Sequence, residues 1–331
     1  MRRFGLVCLS LAVGMALSET TLLSLLSLLC LAASTRAEVA FGYTKIIFAT
    51  QNHLVTPVSV NHTGVTWWMV DTGAPRSMID PELANRLGLQ ATTTFKAGSH
   101  DADRGTRFPI VVLDDLLAGT FHCGRTACVE RSIKEVKSFA TTAWTGKFDK
   151  TGLIGLDLLH KYGALINIRA GKIFFSPTGN LGMSREGYEK MGFTYVPLTV
   201  TSYGRLELVG TLAGRDYSFF IDTGAPMTVL ENWVRTAANI PYVNAGEITL
   251  PFTDIKNARL TYGKATDFKL GSYDAKGALV CFAPTNLEAT GFGGFSHQLA
   301  GTIGIDFLYY RSAIIDIGGR ALYLKPSTNP H

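Results

Sequence analysis

The chain has 331 residues, of which 47% are hydrophobic and 17% are charged. This is enough for two domains with buried cores, and it excludes a wholly disordered chain. The net charge of +5 at pH 7 is small and dispersed. No run of basic residues is interleaved with aromatic ones, so we expect no nucleic-acid partner.

The N-terminus is typical of an export segment. Two arginines precede two apolar runs, residues 4–17 and 22–33, and residues 35–37 resemble a small-residue cleavage site. We therefore predict a signal peptide or N-terminal anchor over residues 1–37 and an exported protein, periplasmic or secreted. The apolar stretch is interrupted before it reaches about 20 residues, which favours cleavage over a membrane span. We expect membrane contact only if this segment stays uncleaved.

The later elements come in two matching sets. In the first half we predict strands over residues 55–60 and 65–70, a helix over 81–87, a flap hairpin with strands over 92–95 and 108–113, an apolar segment with glycines over 152–159, and strands over 164–168 and 172–175. The matching elements of the second half are strands over 206–212 and 217–221, a helix over 232–238, a flap hairpin over 247–252 and 258–262, the segment 301–308, and strands over 313–317 and 321–324. Many short strands and little helix predict an all-β chain with an internal duplication. We expect lobes over residues 38–177 and 194–331, with a polar linker over 178–193.

One stretch within these sets repeats almost unchanged. Residues 70–75 read Val-Asp-Thr-Gly-Ala-Pro, and residues 221–226 read Ile-Asp-Thr-Gly-Ala-Pro. Each copy ends an apolar, β-like run, so it places a carboxylate at the tip of a strand before a glycine turn. Two such tips in one chain predict that Asp71 and Asp222 meet between two like halves.

The pair of carboxylates suits one chemistry. Water that attacks an amide must lose a proton while the carbonyl oxygen gains one. Two close carboxylates cannot both ionise cheaply, so they share one proton and act as an acid and a base. We therefore expect Asp71 and Asp222 to activate a water molecule between them.

The residues around the two aspartates have roles that follow from their type. Gly73 and Gly224 let the backbone turn tightly and bring amides close to the carboxylates. Thr72 and Thr223 can hydrogen-bond across the interface between the lobes. The apolar-glycine pairs that we expect beneath the two turns are Ile154 with Gly155 and Ile303 with Gly304.

With these residues the chain resembles a bacterial single-chain aspartic peptidase with two retropepsin-like lobes. The retroviral pattern is an apolar pair, Asp-Thr-Gly-Ala, an apolar exit strand and a later apolar-apolar-Gly, and it is matched over roughly residues 45–326. The resemblance implies tandem acid-protease barrels with Asp71 and Asp222 as the catalytic dyad and Thr72 and Thr223 as a threonine grip. It also implies an aspartic endopeptidase that binds an extended polypeptide and uses no cofactor and no metal. We expect a monomer, because both halves of the site lie in one chain.

The chain departs from the related patterns at a few positions. Ala74 and Ala225 stand where pepsins usually have Ser or Thr, whose hydroxyl hydrogen-bonds the carboxylate. Losing that bond predicts a milder working pH than that of pepsins. Thr302 replaces the first apolar residue of the second apolar-apolar-Gly element, and no pepsin-type flap tyrosine is recognisable.

Two other functional interpretations stay open. The chain could be a catalytically silent peptide-binding or assembly protein that keeps the acid-protease fold, although two intact aspartates favour the enzyme. It could also be an enzyme held latent by residues 38–50.

Three cysteines lie beyond the export segment. Cys123 and Cys128 flank a predicted hairpin tip, where a disulfide would suit an oxidising compartment. The alternative is that these two and Cys281 are small buried hydrophobic residues. No Cys/His spacing predicts a zinc site. Asp157 and Asp306 also repeat, and we expect a structural capping role for both.

Overall fold

A computed structural model provides the fold. The structure describes residues 41–49, 53–96, 105–133, 150–179, 181, 184–248, 258–285 and 294–328. The predicted export segment, residues 1–37, lies outside the described residues.

Strands dominate both halves. The first half contains β1 Gly42–Lys45, β2 Ile47–Phe48, β3 Leu54–Val60, β4 Val65–Val70, β5 Met78–Ile79, β6 Ala91–Lys96, β7 Arg107–Leu113, β8 Leu116–Ala118, β9 Phe121–His122, β10 Thr126–Glu130, β11 Lys150–Ile154, β12 Leu165–Asn167 and β13 Lys172–Phe175. The second half contains β14 Thr194–Pro197, β15 Thr199–Val200, β16 Leu206–Leu212, β17 Arg215–Ile221, β18 Val229–Glu231, β19 Tyr242–Ile248, β20 Ala258–Ala265, β21 Phe268–Leu270, β22 Tyr273–Asp274, β23 Ala278–Ala283, β24 Leu299–Ile303, β25 Ile314–Asp316 and β26 Ala321–Leu324.

Each half builds a ten-stranded sheet with the same order. The first sheet runs β6-β7-β10-β5-β11-β4-β3-β8-β9, with β2 paired to β3. The second runs β19-β20-β23-β18-β24-β17-β16-β21-β22, with β15 paired to β16. Every strand of the second sheet therefore follows its counterpart by thirteen strands. The prediction of two all-β lobes is confirmed.

A six-stranded sheet joins the two lobes. Its order is β1-β13-β12-β25-β26-β14. The central pair, β12 and β25, is antiparallel and aligns Ile166 with Ile315, both fully buried. The apolar strands predicted near the end of each half thus pair with each other across the molecule, and residues of both lobes share one hydrophobic core.

The equivalent strands also bury equivalent positions. β3 and β16 share one burial pattern, in which buried and half-buried residues alternate after three buried positions. Alternation follows from the pleat, which points successive side chains to opposite faces. Trp68 of β4 and Phe219 of β17 are both fully buried, and they fill the interiors of their lobes.

The described residues include five short helices. They are α1 Pro81–Arg86, α2 Leu156–Lys161, α3 Arg185–Lys190, α4 Asn232–Ala237 and α5 Ile305–Tyr310. Asp80 caps α1, because its side chain accepts the backbone N–H of Glu82 at 3.0 Å, and Pro81 occupies the first turn. The predicted helices over 81–87 and 232–238 are confirmed as α1 and α4.

Two local features differ from the prediction. α3 lies in the stretch predicted as a plain linker, where Ser184 accepts the backbone N–H of Gly187 as a cap. In the second flap hairpin the first strand is Tyr242–Ile248, which begins earlier than the predicted 247–252, and residues 249–252 of that prediction lie outside the described residues. Residues 240 and 241 separate this strand from the turn at Asn239, which has a φ of 49°.

The cysteines follow the buried alternative. Cys123, Cys128 and Cys281 are free and buried, so the disulfide considered between Cys123 and Cys128 is not formed. Both side chains belong to the main hydrophobic core. A thiol packs there as a small apolar group, so each cysteine contributes to the core without forming a disulfide.

Candidate active site

The two aspartates lie at the ends of central strands. Asp71 follows β4, and its N–H donates to the carbonyl of Ile154 on parallel strand β11 at 3.0 Å. Asp222 follows β17, and its N–H donates to the carbonyl of Ile303 on β24 at 3.1 Å. Each carboxylate is therefore carried by the middle of a sheet, which gives it a rigid support.

Each carboxylate accepts two backbone hydrogen bonds from its own turn. Oδ1 of Asp71 accepts the N–H of Gly73 at 2.7 Å and of Ala74 at 3.1 Å. Oδ1 of Asp222 accepts the corresponding two N–H groups of its turn at 2.8 and 3.2 Å. These bonds hold one oxygen of each carboxylate in a fixed direction.

The two carboxyl groups meet. They lie within hydrogen-bonding reach of one another. Asp71 is 8% exposed, and Asp222 is half-buried. The structure thus brings together two aspartates from opposite lobes, as the repeated motif predicts.

The glycine of each turn faces the carboxylate of the other lobe. A Cβ on Gly224 would lie 2.6 Å from Cγ of Asp71. A Cβ on Gly73 would lie 2.5 Å from Oδ1 of Asp222. Both separations are shorter than real Cβ contacts, so the close approach of the two carboxyl groups requires glycine at both positions.

The threonines link the two turns. Thr72 Oγ1 donates to the carbonyl of Ile221 at 2.8 Å, and Thr223 Oγ1 donates to the carbonyl of Val70 at 2.8 Å. Each hydroxyl also accepts the backbone N–H of the opposite threonine. All four bonds are buried and cross between the lobes, so they fix the position of one aspartate relative to the other.

The apolar-glycine pairs lie directly against the turns. A Cβ on Gly155 would lie 2.9 Å from the carbonyl oxygen of Ala74, and a Cβ on Gly304 would lie 2.9 Å from that of Ala225. The N–H groups of Leu156 and Ile305, one residue further on, donate to these same two oxygens at 2.9 Å. Because this segment passes so close to the turn in each lobe, a side chain would not fit, which explains the glycine at this position in both.

The repeated aspartates beyond these glycines support the turns. Oδ1 of Asp306 accepts the N–H of Thr228 at 2.7 Å and its hydroxyl at 2.8 Å. That hydroxyl in turn accepts the N–H of Gly304 at 3.0 Å. In the first lobe, Asp157 and Ser77 form the same arrangement. The geometry agrees with a structural role for both aspartates.

Burial and proximity change the acidity of the central pair. Burial, the charge of Asp222 and the hydrogen bond that protonated Asp71 donates to it raise the pKa of Asp71 well above its usual value. Burial also raises the pKa of Asp222, against the lowering effects of the hydrogen bond from Asp71 and the charge of Arg205. One proton is therefore retained by the pair at a pH where an exposed carboxyl would have lost it.

Arg205 is a member of the site that sequence reasoning missed. Its Nη1 donates to the carbonyl of Gly73 in the opposite lobe at 2.7 Å. It lies in a polar turn directly before β16, and its counterpart before β3 is His53. Because the two residues differ, comparison of the two halves offered no signal for this position.

The fold and these turns define an aspartic-protease-like protein: two β lobes that each supply one Asp-Thr-Gly turn to a shared site. The sequence model of a family described as aspartyl protease matches residues 56–158, which span most of the first lobe. This match confirms the resemblance over that part of the chain. No curated protein sequence matches the chain.

Several solved structures match the chain over most of its length. Basic 7S globulin from soybean has a TM-score of 0.45 and 12% identity, with 87% of this chain and 96% of that chain covered. An aspartic proteinase from Irpex lacteus has a TM-score of 0.44 and 14% identity, with 87% and 98% covered. Conglutin gamma from lupine seeds has a TM-score of 0.46 and 10% identity, with 88% and 96% covered.

Within the described residues, no group of three or more His, Cys, Asp or Glu side chains could hold a metal ion. No helix in the same part of the chain is long and apolar enough to cross a membrane.

Proposed function

We propose that the chain is an aspartic endopeptidase that hydrolyses peptide bonds with a water molecule activated between Asp71 and Asp222. The observation that carries this proposal is the meeting of two carboxyl groups, one buried and one half-buried and one from each lobe, within hydrogen-bonding reach. One ionised and one protonated carboxyl group are what general base and general acid catalysis on an amide require.

The substrate in this proposal is an extended polypeptide. The hairpins β6–β7 and β19–β20 occupy corresponding ends of the two sheets. An extended chain between them could add to a strand edge through its backbone, while the carboxyl pair acts on one of its bonds. Both halves of the site belong to one chain, so the proposed active form is a monomer without a cofactor.

A working pH milder than that of pepsins belongs to the same proposal. Among described hydrogen bonds, each carboxylate oxygen Oδ1 is bonded by backbone N–H groups of its own turn. Ala74 and Ala225 supply no hydroxyl to stabilise the charge further. A pH–rate profile with its optimum near pH 2 would contradict this part of the proposal.

The test is cleavage of an unfolded protein substrate over a range of pH. We expect the wild-type chain to cleave it, and Asp71→Asn and Asp222→Asn each to abolish cleavage. Asp267→Asn, a change at an exposed aspartate, serves as the matched control and should keep full activity. Undiminished cleavage by either dyad variant would overturn the proposed site. A wild-type chain that binds extended peptides but cleaves none at any pH would favour a silent peptide-binding or assembly protein.

Export is a separate proposal that rests on the pattern of residues 1–37. We propose that this segment directs the chain out of the cytoplasm and is then removed. N-terminal sequencing of the protein from cell fractions tests it. An exported chain that begins near residue 38 is expected, and an intact N-terminus in the cytoplasmic fraction would contradict the proposal.

A further inference from the structure

The outer face of the six-stranded sheet carries exposed aromatic side chains at one edge. Phe41, directly before β1, is 59% exposed, and Tyr43 on that strand is 45% exposed. The ring of Phe174 on the neighbouring strand β13 lies 6.4 Å from that of Phe41 and 6.0 Å from that of Tyr43. The side chains between them, Thr44 and Ile173, are buried, so this aromatic patch (Phe41, Tyr43 and Phe174) faces away from the shared core. Exposed apolar groups that lie together mark interaction surfaces, whereas single ones need no explanation.

Two lysines on the same face lie opposite each other beside the aromatic patch. Lys45 of β1 and Lys172 of β13 are partners in the antiparallel register, and both are exposed. Like charges directly opposite each other destabilise a pair of strands. The two ammonium groups turn to different rings, Lys172 to Tyr43 at 5.4 Å and Lys45 to Trp67 at 5.7 Å. Among the described residues no carboxylate forms an ion pair with either lysine, so their repulsion favours an anionic partner.

The chain segments that build this edge of the sheet contain no acidic residue. Residues 41–48 and 169–177 include Lys45, Arg169 and Lys172 but neither Asp nor Glu. The opposite part of the outer face is covered by α3, whose Tyr188 stacks near Tyr323 with 4.1 Å between the ring centroids. The surface at β1 and β13 is thus both aromatic and positively charged.

The outer edge of β1 is closed to another strand at Tyr43. The N–H of Tyr43 donates to the hydroxyl of Thr120 at 3.0 Å, and the N–H of Thr120 donates to the carbonyl of Tyr43 at 3.0 Å. A partner chain therefore cannot extend the sheet through these two backbone groups. Contact with the patch must be made by side chains across the face of the sheet.

We propose that the aromatic patch, together with Lys45 and Lys172, docks on the surface of a bilayer that contains anionic lipids. Aromatic rings favour the interface between lipid and water, and lysines there keep their charged ends among the headgroups. An anionic bilayer attracts each such lysine and offsets the repulsion between the two. The apolar runs over residues 4–17 and 22–33 are connected to the folded protein at Phe41, so the chain enters the fold at this same patch.

This docking goes beyond the proposed function and does not depend on it. The patch belongs to the folded protein, so it persists when residues 1–37 are removed, and contact with a membrane then needs no uncleaved segment. The carboxyl pair follows β4 and β17, which are not strands of the six-stranded sheet. Docking would hold an exported peptidase at a membrane surface, but peptidase activity neither supports nor refutes it.

The test is co-sedimentation with lipid vesicles of the protein as the cell exports it. Vesicles of phosphatidylcholine alone are compared with vesicles that also contain phosphatidylglycerol. We expect binding to the anionic vesicles that weakens as salt is added, because salt screens exposed charges. Lys45→Gln combined with Lys172→Gln should lower the partition coefficient about 30-fold. Phe41→Ser combined with Tyr43→Ser should lower it roughly tenfold or more.

Matched controls change exposed residues of the second lobe. Lys264→Gln combined with Lys269→Gln, and Val243→Ser, should bind the vesicles as the wild type does. Thermal melting should give all variants a Tm close to that of the wild type, since the changed side chains are exposed.

A second measurement serves for a protein that keeps its apolar N-terminal segment and binds vesicles through it. An amine-reactive ester labels exposed lysines, and mass spectrometry compares the labelling with and without anionic vesicles. We expect Lys45 and Lys172 to be protected in the bound protein, and Lys264 and Lys269 to react as before.

Three results would overturn the proposal. They are no binding to anionic vesicles, binding by the double lysine variant that equals that of the wild type, and equal labelling of all four lysines in the bound protein. A lipid-free dimer in sedimentation velocity, dissociated by the Phe41 and Tyr43 changes, would make a second copy of the chain the occupant instead.

Discussion

Thr72 and Thr223 each donate a backbone N–H to the side-chain oxygen of the other, and both distances are 3.0 Å. Each hydroxyl then donates to a carbonyl of the opposite lobe. Both side chains are almost fully buried. Water cannot replace any of these bonds, so the two threonines make the position of one turn depend on the other.

Thr223→Val should therefore destabilise the protein. The change leaves the carbonyl of Val70 and the N–H of Thr72 without their partner in a buried site, and each orphaned group costs about 1–3 kcal/mol. We expect urea denaturation to show a loss of roughly 2–4 kcal/mol in the free energy of unfolding. Thr223→Ser keeps the hydroxyl and should lose much less. Thr92→Val, on an exposed strand position, is the control. Equal stability of the Val and Ser variants would contradict the role of these bonds.

Gly224→Ala should disturb the carboxyl pair. The new Cβ would overlap the carboxyl of Asp71, which must then move away from Asp222. A shift of about 1 Å at a catalytic group can cost on the order of 100-fold in rate, so a loss of that size in kcat/KM is expected. Gly64→Ala is the matched control, since its Cβ would meet no atom within 4 Å and its φ is not in the left-handed region. If both variants kept wild-type kinetics, the close approach of the pair would be refuted.

The raised pKa of Asp71 predicts a pH-dependent gain in stability for Asp71→Asn. Burial and the charge of Asp222 make the folded protein hold this proton more tightly than the unfolded chain does. Stability is therefore lost as the pH rises from the unfolded pKa, about 4, towards the raised folded pKa. An asparagine does not ionise, so the variant should be more stable than wild type at pH 7, and this difference should shrink towards pH 3. Urea denaturation at both pH values, with Asp267→Asn as the exposed control, measures it. A variant that is less stable than wild type at pH 7 would show the opposite sign.

The buried cysteines should be unreactive in the folded protein. Burial raises the pKa of Cys123 and of Cys281 to about 12, and it raises the pKa of Cys128 as well. Only the thiolate reacts with an alkylating reagent, and it is scarce at neutral pH. We expect mass spectrometry to find these three cysteines unlabelled after iodoacetamide treatment of the native protein and fully labelled after unfolding. A reductant should leave the Tm unchanged. A disulfide between Cys123 and Cys128, or rapid native labelling, would contradict the structure.

Much of each lobe was predictable because its signals are local. Apolar runs on either side of a turn predict the strands β3 and β4. A capping aspartate before Pro81 predicts α1. The prediction put the first strand of the second flap hairpin at the wrong residues. Residues 242–248 include Asn, Gly and Glu, which are uncommon in strands, so the pattern of this edge strand is weak. α3 was missed because its six residues are mostly polar, and its stability depends on packing Tyr188 against Tyr323.

The sequence by itself determined the two strand-turn units, with an aspartate and an obligatory glycine in each, because strand alternation and turn geometry depend on residues a few positions apart. The tertiary structure decided which groups meet: β12 with β25, the threonines with each other, and Asp71 with Asp222. It also decided that Arg205 donates a hydrogen bond to the turn of Asp71 in the opposite lobe, while His53 occupies the equivalent place in the other lobe. Such contacts join residues more than 100 positions apart, and they arise only when the apolar faces of both lobes pack together. The repeated motif predicted that the two aspartates should meet, but the unequal surroundings of the pair are a property of the packed molecule.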